Sequence, residues 1–168
     1  MKVLVAYYSN SGNTELVAKG LFEGLKAKDK TLKKFSEVSS LNEYDIIYCG
    51  FPVVEHSVPA KMQTFLKSIP VNSKVAFFAT HGSVRDGKKA KTAFETAGTL
   101  VKSSKILGTF GVRGKVAQSV FEALENKLEH KSWIEEAISA AGHPNESDLK
   151  DATDFANKML EKSKFQAA

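Results

Sequence analysis

Cysteine is nearly absent from this chain, and long apolar segments are absent altogether. Cys49 is the only cysteine among 168 residues, which excludes an internal disulfide framework and a zinc site built from cysteines. No apolar run approaches the ~20 residues that a membrane-spanning helix requires. Residues 1–8 lack the longer apolar stretch and the small-residue cleavage site of a secretory signal. The sequence therefore predicts a soluble, cytoplasmic protein without a membrane span.

A strong charge of one sign is also lacking. The chain has 24 Lys and Arg against 19 Asp and Glu, a net charge of +5. A basic balance can favour nucleic acids, anionic membranes or acidic partners. No motif that reads DNA or RNA accompanies the charge, so we expect neither as a partner. His130 and His143 have no second ligand at a metal-like spacing, so we predict no metal site.

What the sequence does contain is an alternation of short apolar runs and amphipathic stretches, which is typical of an α/β domain. Four runs are almost wholly apolar, as expected for parallel strands that are covered on both faces. A fifth, more polar run is interpreted as an edge strand. The four apolar runs are residues 3–8, 44–50, 74–80 and 105–112, and the edge run is residues 31–37. Apolar stripes at helical spacing lie between them and predict helices that pack against the sheet.

The pattern changes after the fifth strand. Residues 115–142 carry two further helical stripes, the first formed by Val116, Val120, Leu124 and Leu128 and the second by Trp133, Ile134, Ala137, Ile138 and Ala141. Gly142-His143-Pro144 then breaks the chain, and Asn145 or Ser147 caps a last helix. One closing helix completes a doubly wound sheet of five strands, so we predict a helical insertion over residues 115–142. Right-handed crossovers then place helices on both faces. We expect residues 1–168 to form a single domain of three layers.

The most informative segment lies between the first strand and the first helix. Ser9-Asn10-Ser11-Gly12-Asn13-Thr14 brings three hydroxyls, two amides and a glycine into one turn. A helix N-terminus there offers unpaired N–H groups and the positive end of the helix dipole. We therefore predict a phosphate cradle without lysine or arginine. The alternative is that these residues only form a turn and cap the helix. Neither the P-loop pattern nor GxGxxG follows the strand.

These six residues resemble the flavodoxin signature S/T-x-S/T-G-N-T, which holds the phosphate of FMN. Residues 50–53 end the third strand where flavodoxin-like proteins place their first flavin loop, and residues 80–83 end the fourth strand, where the second flavin loop lies. The resemblance implies the strand order 2-1-3-4-5, with the cofactor at the carboxyl ends of the strands. The FMN-binding residues that it implies are Ser9, Asn10, Ser11, Gly12, Asn13, Thr14, Phe51, Pro52, Val53, Val54, Thr80, His81 and Gly82.

The aromatic residues depart from the flavodoxin pattern. Flavodoxins often stack the isoalloxazine between a Trp and a Tyr from the two flavin loops, whereas the only tryptophan here, Trp133, lies in the insertion. Phe51 either contacts the flavin or packs inward, and His81 is the corresponding candidate in the second loop. Many flavodoxins also use a glycine in the first flavin loop, but no glycine lies between Gly50 and Gly82.

Polar residues near the flavin loops leave alternatives open. Arg85, Lys88, Lys89 and Lys91 either form a solvated helix surface or guide an anionic substrate, a pyridine-nucleotide phosphate or an acidic electron donor. Glu55-His56 is either an exposed loop pair or a proton source for the flavin or a substrate.

The resemblance implies an FMN-binding redox protein. Electrons would pass either to a partner protein or directly to a small molecule, as in flavodoxin-like quinone reductases and protoporphyrinogen-oxidising proteins. The alternative is a binding module of the same fold that has lost FMN and acts by protein–protein contact.

Overall fold

A computed structural model describes residues 1–84 and 87–165. Five parallel strands form one sheet of order β2-β1-β3-β4-β5, which is the predicted order. The strands are β1 (Lys2–Tyr7), β2 (Asp29–Lys34), β3 (Ile46–Pro52), β4 (Lys74–His81) and β5 (Lys105–Arg113). The helices are α1 (Asn13–Gly24), α2 (Ala60–Lys67), α3 (Lys88–Leu100), α4 (Gln118–Leu124), α5 (Lys131–Ile138) and α6 (Glu146–Phe165).

The sheet is buried on both faces, which explains its nearly continuous apolar strands. Side chains alternate along each strand, so Val3 and Val5 lie in one buried cluster and Leu4 and Ala6 lie in the other. Helices α1 and α6 cover the first face, and α2 and α3 cover the second. These are the predicted three layers.

Close packing of α6 fixes the position of α1, and with it the loop that precedes α1. A Cβ atom on Gly24 would lie 2.3 Å from Cγ2 of Thr153, so only glycine permits this approach. The Thr153 hydroxyl also donates to the carbonyl of Gly20 over 3.2 Å. The N-terminus of α1 is therefore held at the carboxyl edge of the sheet.

Segment 115–142 is a helical insertion, as predicted, although its helices are shorter than the stripes suggested. Helix α4 ends at Leu124, and Leu128, the last residue of the predicted first stripe, is 91% exposed in a single 3-10 turn.

The edge strand β2 ends at Lys34 instead of residue 37, because Phe35–Glu37 forms another 3-10 turn. The Phe35 ring there packs against Tyr8 and Phe65.

The start of α6 resolves the alternative between Asn145 and Ser147. The amide of Asp148 donates to the Asn145 side chain over 3.1 Å, and the amide of Asn145 donates to the Asp148 carboxylate over 2.9 Å. This reciprocal arrangement is a capping box with Asn145 as the cap. His143 Nδ1 lies 2.5 Å from the same carboxylate.

Among the described residues, no helix is both long and apolar enough to cross a bilayer.

Candidate functional site

Four loops meet at the carboxyl ends of the strands. The amide of Tyr8 donates to Gly50, that of Val53 to Thr80, and that of Gly114 to His81, over 2.9, 2.8 and 2.9 Å. These main-chain bonds join the loops that follow β1, β3, β4 and β5. The structure therefore brings together the three segments that the sequence singled out, together with the start of the insertion.

The turn that leads into α1 leaves main-chain donors uncovered. Gly12 has a φ of 91°, a left-handed conformation that favours glycine, and its amide donates to Oγ of Ser9 over 3.1 Å. The first helical amide to reach a main-chain carbonyl is that of Leu16, which donates to Gly12 over 2.9 Å. Within the described parts of the chain, the amides of residues 13–15 have no such acceptor. Three N–H groups therefore point out of the helix N-terminus.

Most side chains of this turn are engaged inside the protein. Asn10 accepts a hydrogen bond from the Tyr8 hydroxyl over 2.6 Å, and Asn13 Nδ2 donates to the carbonyl of Lys115 over 2.8 Å. The hydroxyl of Thr14 is buried and lies 2.8 Å from that of Thr80. Ser11 is exposed, and no hydrogen bond to its side chain occurs among residues 1–84 and 87–165. Among the described residues, the amides of residues 13–15 and the hydroxyl of Ser11 are therefore donors of this turn without a hydrogen-bond acceptor.

Glu15 is the acidic residue in the first turn of α1, and a lysine offsets its negative charge, so it does not repel an anion at the turn. Glu15 pairs with Lys19 over 2.8 Å. The hydrogen bond from Lys19 is the main cause that lowers the pKa of Glu15, with a smaller contribution from Tyr7. Because residues 9–14 carry no charge, the positive helix terminus dominates the local electrostatics.

The first predicted flavin loop follows β3, and its aromatic ring points away from the site. Phe51 is fully buried, and its ring packs against those of Phe77 and Phe94 at centroid distances of 6.4 and 6.1 Å. This is the inward packing that the sequence left open. The rest of the loop is accessible: Pro52 and Val53 are half-buried and Val54 is exposed.

A two-residue turn forms the tip of this loop. Val54 and Ser57 exchange two main-chain hydrogen bonds of 3.1 and 2.9 Å. Between them, Glu55 and His56 have φ values of 49° and 62°, as a tight hairpin of this kind requires. Both side chains are exposed, so the turn presents a carboxylate and an imidazole to solvent at the edge of the site.

The second predicted flavin loop is more enclosed. Thr80 and His81 are buried, and His81 Nδ1 lies 3.1 Å from the carbonyl of Ser83. A Cβ atom on Gly82 would lie 2.5 Å from Cγ2 of Val116, so the insertion packs directly on this loop. His81 faces the protein interior instead of an open flavin surface.

The basic residues after the second loop do not act as one group. Lys88 and Lys91 are exposed, whereas Lys89 is half-buried and its ammonium lies 5.6 Å from the ring centroid of Trp133. Arg85 lies outside the described residues.

Sequence reasoning missed the contribution of the insertion. A cavity of about 740 Å³ lies between the turn and the insertion. Polar Ser11 and Asn13 border it on one side, and an apolar wall that includes Phe121, Ile134 and Ala137 borders it on the other. The apolar stripes of residues 115–142 were visible, but helical spacing alone does not show which surface such a stripe covers.

Arg113 attaches the insertion to the second flavin loop. Its guanidinium donates to the carbonyls of Ser83 and Glu136 over 3.2 and 2.7 Å and to Oγ of Ser139 over 2.6 Å. No sequence pattern marked this arginine, since its partners lie 23 to 30 residues away.

The family is decided by a match to the model of the flavodoxin domain, which covers residues 4–157. The chain belongs to the flavodoxin family. The flavodoxin-like domain-containing protein BilS of Clostridioides difficile (strain CD3) is 27% identical, over 97% of this chain and 98% of its own. Family membership confirms the resemblance and supports a redox role with FMN as cofactor.

Solved structures agree on the fold. A flavodoxin from the domain Archaea superposes with a TM-score of 0.64 at 19% identity, covering 98% of this chain and 99% of its own. A flavoprotein in complex with FMN from Lactobacillus acidophilus NCFM gives a TM-score of 0.54 at 21% identity, covering 66% of this chain and 92% of its own. At these identities the likeness establishes the architecture.

Proposed function

We propose that this flavodoxin binds FMN at the carboxyl edge of its sheet, with the FMN phosphate in the turn of residues 9–14. Electrons then pass through the bound flavin to a partner protein or directly to a small molecule. The observation that carries this proposal is the set of uncovered amides of residues 13–15. They lie next to the free hydroxyl of Ser11 and to Gly12, which has no side chain to block a ligand.

The donor set of this turn fits a phosphate dianion. Main-chain N–H groups at a helix N-terminus bind phosphate without a basic side chain, because the helix dipole favours negative charge there. In the described part of the chain, no atom outside residues 11–13 lies within 4 Å of an ideal Cβ position on Gly12. A phosphate can therefore approach the backbone closely. The Ser11 hydroxyl can donate a hydrogen bond to the phosphate. The Ser9 hydroxyl accepts from the amide of Gly12 and can still donate a hydrogen bond of its own.

The buried hydroxyl pair of Thr14 and Thr80 connects this turn to the second flavin loop. Each hydroxyl has one proton and can accept further bonds. When the Thr14 hydroxyl accepts a hydrogen bond from the Thr80 hydroxyl, the Thr14 O–H is left to donate to the ligand. The pair thus orients the O–H group of Thr14 and ties the phosphate turn to the end of β4.

The remaining predicted contacts are main-chain and apolar. We expect residues 51–54 and 80–82 to border the flavin ring, with Val54 as the exposed apolar side chain at its edge. FMN supplies reversible transfer of one or two electrons when bound, and the protein sets its orientation and potential. The exposed Lys88 and Lys91 and the net charge of +5 support an anionic substrate or an acidic partner.

The test is FMN binding by apoprotein variants at Ser11 and Thr14. Loss of one hydrogen bond to a charged group costs about 1.5–3 kcal/mol, so Ser11→Ala should raise the Kd for FMN by about 10- to 100-fold. Thr14→Val, which removes a hydroxyl at constant shape, should do the same. Both are measured by titration with the quenching of flavin fluorescence as the signal.

Two controls accompany these variants. Thr14→Ser keeps the hydroxyl and should bind FMN nearly as the parent does, and Ser103→Ala removes an exposed hydroxyl from the turn before β5, at the opposite edge of the sheet. If Ser11→Ala and Thr14→Val both bound FMN as tightly as the parent, the phosphate turn would be assigned wrongly.

A further inference from the structure

The two flavin loops expose no Phe, Tyr or Trp ring among the described residues. Phe51 is fully buried in the core, and the Tyr8 ring near the first loop packs edge-on against Phe35 at 5.6 Å. From Thr80 to Val84 no residue is Phe, Tyr or Trp, and the His81 imidazole is buried. A Phe, Tyr or Trp contact for a flavin ring at this edge would therefore come from another part of the chain.

Trp133, the only tryptophan, lies beside the second flavin loop although it belongs to helix α5 of the insertion. Its Cζ2 is 3.6 Å from an ideal Cβ position on Gly82, which Val116 Cγ2 approaches to 2.5 Å, so the indole reaches this loop beside the side chain of Val116. Trp133 is half-buried, so part of this residue remains accessible to solvent.

The position of the indole is fixed from several sides. Phe121 packs against it at a centroid distance of 6.5 Å with a tilt of 35°, and the Lys89 ammonium lies 5.6 Å from its centroid. Arg113 holds the following turn of α5 through the carbonyl of Glu136. An aromatic side chain held in this way loses little further freedom when a ligand packs on it.

We propose that Trp133 is the aromatic contact of the flavin at the second flavin loop, supplied by the insertion in place of a residue from the loop itself. The inference rests on the proposed FMN binding. Segment 115–142 then completes the flavin site across Gly82, while the bond between Asn13 and Lys115 ties the segment to the phosphate turn.

The alternative is that Trp133 only clamps the insertion to α3 through Lys89. The two roles differ in what they do to a bound flavin. An indole in contact with a flavin quenches the flavin's fluorescence by transferring an electron to the excited ring, whereas a structural clamp affects stability alone.

The experiment compares FMN bound to the parent, Trp133→Leu, Trp133→Phe and Ser132→Ala. Flavin fluorescence is read at saturation, and the Kd is obtained from the same titrations. We expect the bound flavin to be weakly fluorescent in the parent and several-fold brighter in Trp133→Leu. The Kd should rise by about 2- to 10-fold, the range that aromatic contacts contribute. Trp133→Phe should keep the affinity and lose part of the quenching. Ser132→Ala, at an exposed neighbouring position, should match the parent.

A folded Trp133→Leu variant with unchanged flavin fluorescence and an unchanged Kd would overturn the inference while leaving FMN binding intact. The same conclusion would follow if the melting temperature fell and the bound flavin did not change. If Trp133→Leu did not fold, Trp133→Phe would decide, since unchanged quenching in that variant contradicts an indole contact. If the parent bound no FMN, the proposed function would fail together with the inference.

Discussion

Cys49 lies in the middle of β3 with no exposed surface, opposite Ala6 of β1 and Phe77 of β4. Burial raises the pKa of its thiol because a thiolate would lack solvation there. The same cause raises the pKa of the neighbouring Tyr48, whose hydroxyl donates to the carbonyl of Ala156 over 2.8 Å. In the folded protein Cys49 is therefore a protonated core residue, not a reactive thiol.

This burial predicts how stability depends on pH. Below the ordinary thiol pKa of 9.0 the thiol is protonated in both states and contributes no pH dependence. Above it only the unfolded chain loses the proton, so the free energy of unfolding falls as the pH rises. Between pH 9 and pH 10 the parent should lose about 1 kcal/mol more than Cys49→Ala. Urea denaturation at the two pH values measures this. Equal losses in both proteins, or rapid modification of the native thiol, would contradict it.

At the scale of residues, sequence reasoning did not foresee the left-handed conformation of Gly12 and was incomplete about the asparagines of the turn. The partner of Asn13 is the carbonyl of Lys115, 102 residues away, and no local pattern reveals such a bond. Phe51 is a similar case, because the direction of its ring depends on Phe77 and Phe94.

The insertion is an element whose position depends on a few polar contacts. Helix α4 has no buried residue and Ala137 is the buried one in α5, so little apolar burial holds this segment in place. The four acceptors of Arg113 belong to Ser83, Glu136 and Ser139. We infer that this arginine contributes much of the local stability of α5.

Arg113→Ala should therefore loosen α5 selectively. Loss of charge-assisted hydrogen bonds of about 1.5–3 kcal/mol each should speed amide exchange in α5 by about 10-fold or more. Exchange in β1, β3 and β4 should stay unchanged, as measured by hydrogen–deuterium exchange. Lys131→Ala, which removes an exposed positive charge from α5 itself, is the control. Equal exchange of α5 in both variants would argue against the assigned role of Arg113.

At the scale of elements, the sheet could be predicted well and the insertion only in outline. Apolar strands covered on both faces have a strong sequence signal, and the strand order follows from the family resemblance. Residues 115–141 contain neither glycine nor proline, so nothing local marks where one short helix stops. The end of α4 at Leu124, before Leu128 of the first predicted stripe, was missed for this reason.

At the scale of the molecule, the architecture and the family are established, and the redox role with FMN follows from them. The electron donor and acceptor are not encoded in local motifs, because they depend on surfaces that only the folded chain assembles. That residues 1–168 form a single domain stays a prediction. It is supported by the two buried clusters, which share the same sheet.

The most direct test of the central claim is a titration of the apoprotein with FMN and, in parallel, with riboflavin, which lacks the phosphate. If the turn of residues 9–14 holds the phosphate through several charge-assisted bonds, FMN should bind about 100-fold more tightly than riboflavin or better. Equal affinities would show that the phosphate is not recognised. Binding of neither flavin would favour a module of the same fold that acts by protein–protein contact.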